Sequence, residues 1–352
     1  MNQTKLTQMV PLIIEWYETH KRTLPWRENP TPYHVWISEI MLQQTRIEAV
    51  IPYYERFLKE IPDIQALAEI PDDKLMKLWE GLGYYSRARN LKKAAMEIIS
   101  RFGGNLPEDA VSLRSLSGIG DYTAGAIASI CFGKAEPAVD GNVLRVIMRY
   151  LGKYDDIALQ STKKSVAEAL RTVYPHGKDA KNLTQGIMEL GESVCIPNGE
   201  AKCDHCPLSR HCIANQEHLK DSLPVKSAKK PRKTEEKTVF LLSCRGKYAI
   251  CQRPDSGLLA KLWEFPNAKG KLSEEEALSY LQGMALSPFH LKPSTDAIHI
   301  FTHIEWHMTG YEAECLYPSD AFVWKTPKEI AEEYAIPSAF RAYSEYMVKN
   351  QT

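Results

Sequence analysis

Residues 116–140 read L-S-G-I-G-D-Y-T-A-G-A-I-A-S-I-C-F-G-K-A-E-P-A-V-D, and this stretch decides the fold of the first half of the chain. Leu116, Gly118, Ile119 and Gly120 predict a tight glycine hairpin. Two glycines one residue apart permit positive φ and leave no side chain in the way. A run of small and apolar residues, Asp121 to Phe132, follows at once and predicts a helix. Amides in such a turn, just ahead of a helix N-terminus, converge on one spot and favour an anion. A nucleic-acid phosphate is one such anion. Asp140 lies eight residues past that helix, in A-V-D-G-N. A carboxylate so close to a backbone-clamping turn points to chemistry on a nucleic acid, and not to attachment alone.

The 352 residues predict two domains. With 44% hydrophobic and 25% charged residues, the chain is globular in composition. No run of eighteen apolar residues occurs, so no membrane span is expected. The N-terminus, M-N-Q-T-K-L-T-Q-M, lacks the apolar core of a signal peptide. A cytoplasmic protein is expected, nucleoid-associated in a bacterium. Formal net charge is zero, so any nucleic-acid binding must rest on local basic groups. Four of the eight cysteines are clustered, which favours a metal over disulfides in this setting.

Residues 5–20 predict an amphipathic helix with Leu6, Met9, Val10, Ile13 and Ile14 on one stripe. L-P-W-R-E-N-P-T-P-Y (24–33) reads as a loop made rigid by its prolines, carrying Trp26 and Arg27. Thr31 and Pro32 predict the next helix start. That helix, V-W-I-S-E-I-M-L-Q-Q-T-R-I (35–47), has a core stripe of Val35, Trp36, Ile40 and Ile47. By position alone Glu39 reads as a carboxylate on the solvent side. In L-W-E-G-L-G-Y-Y-S-R-A-R-N-L-K-K (78–93), Gly81 and Gly83 break a helix. Leu82, Tyr84 and Tyr85 form an apolar-aromatic tip, with Arg87, Arg89, Lys92 and Lys93 behind it. The tip is either a wedge for a nucleic-acid stack backed by phosphate contacts, or a core tyrosine pair with a solvated basic face. Helices are predicted for 142–150, for 160–174 and for 182–195, the last running into Cys195.

Cys195, Cys203, Cys206 and Cys212 are spaced C-x7-C-x2-C-x5-C. Four thiolates within eighteen residues can close on one tetrahedral ion or on an iron–sulfur cube. Structural zinc more often uses two C-x2-C pairs or includes histidine. The single pair and uneven gaps favour a four-cysteine [4Fe–4S] cluster. Residues 221–236 are polar, basic and twice broken by proline, and predict a linker. Beyond it, T-V-F-L-L-S-C, R-G-K and Y-A-I-C-Q-R predict a β-hairpin, and Ser273 with Glu276 a helix capping box. Residues 298–308 alternate as one strand, with Ile298, Ile300, Thr302, Ile304 and Trp306 on one face and His299, Phe301, His303 and His307 on the other. Four residues of strand span about 13 Å, at roughly 3.3 Å each, so no single zinc ion bridges successive histidines there. Two further helices follow Pro327 and Pro337. This second domain is α+β.

These motifs carry a resemblance. P-W-R (25–27), S-E-I-M-L-Q-Q-T (38–45), G-L-G-Y-Y-S-R-A-R-N-L (81–91), L-S-G-I-G-D-Y-T-A-G-A-I (116–127), A-V-D-G-N-V-L-R-V (138–146) and the four cysteines occur in order. The first 215 or so residues resemble the helix-hairpin-helix base-excision DNA glycosylases with an iron–sulfur cluster, closest to the adenine DNA glycosylase (MutY) family. L-W-E-F-P (262–266) and H-I-F-T-H (299–303) make the second domain similar to that family's Nudix-like C-terminal domain. The acidic box of Nudix hydrolases is missing, so pyrophosphate hydrolysis is not expected. The resemblance implies an all-α helix-hairpin-helix glycosylase domain (1–220) with a [4Fe–4S] loop (195–212), a linker (221–236) and a Nudix-like α+β lesion-recognition domain (237–352).

It also implies roles. Glu39 is the general acid at adenine N7, Asp140 faces the sugar, and Tyr122 supports Asp140. Tyr122 stands where bifunctional relatives of the endonuclease III type have a lysine nucleophile, so base removal without strand cleavage follows. Gln44, Thr45, Leu82 and Tyr84 hold the opened duplex, with Gly118 and Gly120 on its backbone. Arg27 and Gln185 lie near the adenine pocket. Phe301, Thr302 and His303 read 8-oxoguanine on the opposite strand. The cluster fixes a loop that brings Lys202, Arg210 and His211 near phosphates.

The implied partner is duplex DNA with adenine opposite 8-oxoguanine or guanine, bound by a monomer, with repair or replication proteins as further partners. Three departures stand out. The first cysteine gap is seven residues instead of six, Ser117 replaces a proline and so loosens the hairpin, and Thr302 replaces serine, adding a methyl beside the lesion. A thymine- or pyrimidine-specific glycosylase, or a non-catalytic iron–sulfur DNA-binding protein, are the rival functions.

Overall fold

The computed structural model describes residues 1–228, 231–284, 286 and 288–350; Lys229 and Lys230 of the expected linker lie outside them. The chain forms two compact units. One is Met1–Glu69 with Arg89–Ala228, and the other is Ile70–Ala88 with the chain beyond Ala228. No helix among the described residues is long and apolar enough to cross a membrane.

The first unit is helical. Its core joins the Gln3–His20, Gly141–Leu151 and Lys178–Ser193 helices through Leu6, Met9, Ile13, Val143, Ile147, Leu183, Ile187 and Leu190. Residues three or four apart on each helix supply it, which is the spacing of one helical face. The proline-rich stretch expected as loop contains a short helix, Pro25–Glu28, because proline is compatible with a first helical turn. The next helix, Pro32–Leu42, starts at a Thr31 cap whose side chain accepts from the His34 amide. It ends before Gln44, which adopts φ 58°, and a new helix, Ile47–Glu60, begins. Ile47 is therefore not part of the Glu39 helix. Nor does that helix bury a stripe: Tyr33 and every residue from Val35 to Met41 are buried.

The glycine hairpin enters the Asp121–Phe132 helix, but its two glycines differ. Gly118 has φ 76°, and a Cβ there would lie 2.6 Å from the Asn90 Cβ. Gly120 is the helix cap with φ −91°, a conformation open to any residue. Ser117 does not loosen the turn. Its amide and hydroxyl donate to the two Glu97 carboxylate oxygens at 2.8 and 2.7 Å. Gly118→Ala is expected to destabilise the first unit by at least about 1–2 kcal/mol, the cost of a left-handed alanine. A thermal melt unchanged by the substitution would count against this account of the turn.

Among the described residues, the second unit forms an eight-stranded mixed sheet. Its central strands, Lys233–Cys244 and Ile304–Cys315, run parallel, and their other neighbours pair antiparallel. Val239 and Leu241 pack on one face with Phe340, Tyr343 and Met347 from the C-terminal helices. Phe240 and Leu242 pack on the other with Ala277 and Leu281 of the Glu274–Gly283 helix. Cover on both faces explains the unbroken apolar run T-V-F-L-L. Ser273 and Glu276 make their capping box.

Two expectations change here. The chain from 298 to 308 is not one strand: Ala297–Ile300 and Ile304–Cys315 form a hairpin, closed where the Phe301 amide donates to Ile304 O. In that hairpin Ile298 and Ile300 are exposed, 63% and 56%, while His299 is half-buried, the reverse of a simple apolar-inward alternation. The linker is also tied down at both ends. Leu223 is buried with its carbonyl on Arg149 Nε, and Lys233–Glu236 already pair with Ile304–His307.

Residues 70–88, expected within the first domain, join the second unit through polar anchors. Trp263 Nε1 donates to Asp73 Oδ1, the Ile336 amide to Glu80 Oε1, and Lys77 Nζ to Tyr334 O. The predicted tip is only partly one. Leu82 and Tyr85 are buried and Tyr84 alone is exposed. Arg87 is also buried; its guanidinium donates to Leu82 O and Gly83 O and lies over the Trp79 and Tyr84 rings. It holds the loop.

Candidate active site

One cavity of about 510 Å³ in the first unit is lined by Glu39, Tyr122 and Asp140, together with Arg27, Gln44, Thr45 and Gln185. Four features bring the two carboxylates to it. Glu39 sits on the enclosed Pro32–Leu42 helix. The Asp121–Phe132 helix packs against that helix. Gly125 lets the approach to Asp140 pass close by, because a Cβ there would lie 2.5 Å from Pro137 O. Asp140 then caps the Gly141–Leu151 helix, its Oδ1 accepting from the Val143 amide at 2.8 Å.

Burial raises both carboxyls, and their hydrogen-bond partners differ. Burial pushes the Glu39 pKa up to about 7, with the Asp140 charge adding to it, against the Tyr122 hydrogen bond and the Arg27 charge. Burial also raises the Asp140 pKa, opposed by the Val143 amide and the Arg145 charge. Both Asp140 oxygens accept hydrogen bonds, Oδ2 from Asn142 Nδ2 at 3.1 Å, an arrangement suited to the ionised form. Tyr122 is not placed as expected. Its hydroxyl donates to Glu39 Oε2 at 2.7 Å, not to Asp140. The phenol stays protonated, since burial and then the Glu39 charge raise its pKa well above 10.

Several cavity residues escaped the sequence reading: Arg22, Asn142, Met188, Glu189 and Glu192. Glu189 is 1% exposed and accepts from Arg22 Nε and from Arg27 Nη2, the latter at 2.7 Å. It thereby fixes the Arg27 guanidinium, which also lies over the Tyr17 ring. A signal for this group was available. Gln185, Met188, Glu189 and Glu192 are spaced i, i+3, i+4, i+7, one helical face.

In comparison with known proteins, residues 37–176 match the HhH-GPD superfamily of base excision DNA repair proteins, and residues 238–346 match the NUDIX domain. The adenine DNA glycosylase of Buchnera aphidicola is 33% identical over 88% of this chain and 88% of its own length. The chain belongs to the adenine DNA glycosylase family. The Homo sapiens member is 32% identical over 94% of this chain and 73% of its own. A thermostable thymine-DNA glycosylase structure covers 61% of the chain and 98% of its own, with TM-score 0.55 and 29% identity. As a family member the chain is a DNA glycosylase, a hydrolase of N-glycosyl bonds, built from a helix-hairpin-helix domain and a Nudix-type domain.

The adenine DNA glycosylase resemblance also named residues outside this cavity. The four cysteines are free thiols that line a second cavity of about 30 Å³ with Tyr150, Leu190 and Val194. Among the described residues, no three His, Cys, Asp or Glu side chains are set to hold a single metal ion. Arg149 Nη1 donates to Cys195 Sγ at 3.4 Å. Convergence of four thiols on one apolar cavity, with no histidine or carboxylate among its lining residues, fits a thiolate-held cluster. Lys202, Arg210 and His211 are exposed on the same loop. In the second unit, Thr302 and His303 are exposed in the hairpin turn, while the Phe301 ring packs edge-on against Trp306, 4.8 Å between centroids. Tyr84, left-handed at φ 48°, shares a hydrogen bond with the Thr302 hydroxyl at 3.1 Å.

Proposed function

We propose that this glycosylase removes adenine placed opposite 8-oxoguanine or guanine in duplex DNA, without cutting the strand. The observation that carries the reading is the pair Glu39 and Asp140 on one cavity, the first with a pKa near neutrality and the second hydrogen-bonded on both oxygens. Adenine must leave the stack before any chemistry, at a cost of a few kcal/mol. Glu39 then protonates N7, so the base departs neutral. Asp140 stabilises the sugar's oxocarbenium charge, by electrostatics or by a transient bond. Glu39, now ionised, takes a proton from the incoming water. Two carboxyls held in opposite protonation states is the logic of glycoside hydrolysis. Arg27, held by Glu189, and Gln185 border the base. Gln44, Thr45 and the exposed Tyr84 hold the opened duplex, with the buried Leu82 supporting the Tyr84 loop, and amides near Gly118 and Gly120 take a phosphate.

Thr302 and His303 contact the opposite base, beside a Phe301 ring packed against His299 and Trp306, and Tyr84 joins them through Thr302. Cys195, Cys203, Cys206 and Cys212 would hold a [4Fe–4S] cluster, which when bound cross-links the 195–212 loop; it has no part in the hydrolysis. Iron and inorganic sulfide in equal amounts in the purified protein test that assignment, and zinc in their place would refute it.

The deciding experiment is a panel of duplexes. Adenine release from A·8-oxoguanine and A·G, with none of thymine from G·T or of oxidised pyrimidines, is expected. Preferential pyrimidine release would replace this reading with the thymine-glycosylase one. With tyrosine at position 122, borohydride should trap no covalent DNA adduct. Tyr122→Phe gives a further expectation. Its hydroxyl bond favours ionised Glu39, so its loss raises the Glu39 pKa further. The alkaline fall in single-turnover rate then moves to higher pH, and a shift to lower pH would contradict the geometry.

A further inference from the structure

We infer that Glu192 is a positioning residue of this site: its carboxylate holds the Asn142 amide in the orientation that gives Asp140 its second hydrogen bond. The inference rests on the proposed function for its meaning and on the hydrogen-bond network for its argument. Arg145 Nη2 donates to Asn142 Oδ1 at 2.7 Å. Arginine has only donors, so that end of the amide is the oxygen and the other is the NH2 group. Arg145 is itself fixed, donating to Gly191 O at 2.8 Å and to Cys195 O at 2.7 Å.

The Asn142 NH2 group has two hydrogens and two acceptors. One is Asp140 Oδ2 at 3.1 Å; the other is Glu192 Oε1 at 2.9 Å. Glu192 reaches it from the last turn of the Lys178–Ser193 helix, across from the first turn of the Gly141–Leu151 helix. Asp140 Oδ1 is occupied by the Val143 amide, so Oδ2 is the oxygen left to face a sugar. The amide that orients Oδ2 is thus held from three sides, and Glu192 supplies the side nearest solvent. An Asn χ2 torsion is broad when unsupported. Without Glu192 the amide can swing and take Asp140 Oδ2 out of line, and small misplacements of a charged group lower rates steeply.

The test compares wild type, Glu192→Ala, Glu192→Gln, Asn142→Ala and the Glu192→Ala/Asn142→Ala double variant. Single-turnover adenine release, affinity for a duplex with a non-hydrolysable adenosine analogue, and thermal melting are measured for each. Glu192→Ala is expected to release adenine about tenfold more slowly, the effect of one lost positioning hydrogen bond. Its duplex affinity and melting temperature stay at wild-type values. Glu192→Gln keeps an acceptor oxygen at the same reach and recovers most of the rate. The double variant is no slower than Asn142→Ala.

A wild-type rate for Glu192→Ala, a Gln variant as slow as the Ala variant, or additive losses in the double variant would each overturn the inference. So would a Glu192→Ala crystal structure with the Asn142 amide unmoved, whatever the activity. Wild-type protein that releases no adenine from any duplex would overturn the functional reading instead.

Discussion

Glu39→Gln is expected to lower the single-turnover rate of adenine release by about 10²–10⁴-fold, the range for a lost general acid, with duplex binding retained. Glu39 is 7% exposed on a helix enclosed on all sides, and burial holds its pKa near 7. At neutral pH a large fraction is therefore protonated and able to donate. The native rate is full below neutrality and falls as pH rises through about 7; the Gln variant lacks this limb. Stability supplies an independent check. The folded pKa lies above the unfolded one, so folded protein binds more protons between about pH 4.5 and 7, and stability falls as pH rises through that window. Removing the carboxylate is then expected to stabilise the fold above pH 7, by up to about 3 kcal/mol. An inactive variant that melts higher at pH 8 than wild type would be the joint signature. Normal adenine release by Glu39→Gln would end its assignment as the acid.

Asp140→Asn is expected to slow release by about 10²–10³-fold, the scale of a lost electrostatic stabiliser. This substitution separates chemistry from folding. Asparagine caps a helix about as well as aspartate, so its side-chain oxygen can still accept from the Val143 amide. That choice turns its NH2 group toward Asn142 Nδ2, which is also a donor. The variant loses one hydrogen bond, about 1 kcal/mol, and the negative charge. The expected result is a small drop in melting temperature beside a large drop in rate. A rate loss no larger than the stability loss would leave Asp140 as a helix cap alone.

Much of the site was legible because its parts are local. Thr31, Asp140 and Ser273 announce helix starts, since a short polar side chain capping its own helix needs only the next three residues. The cysteine spacing announces a shared site on the same ground. Glu39 was legible only through company. S-E-I-M-L is equally compatible with a half-exposed helix, and the burial that raises its pKa comes from helices far along the chain. The 298–308 stretch misled because alternation is the same in one strand and in a hairpin whose turn preserves it; pairing with Lys233–Cys244 decided the reversal.

The sequence by itself determined a helical half and an α+β half, the glycine turn, the caps and the thiol set. Each depends on residue type and on spacings of a few residues, where backbone geometry leaves little choice. Only the tertiary structure decided that Tyr122 bonds Glu39 83 residues away, that Glu189 holds Arg27 from 162 residues away, and that Tyr84 meets Thr302 across 218. The second unit likewise claims residues 70–88 through long-range contacts. A hydroxyl or carboxylate has many partners of equal chemical merit, and only packing in three dimensions selects which one lies within hydrogen-bond reach.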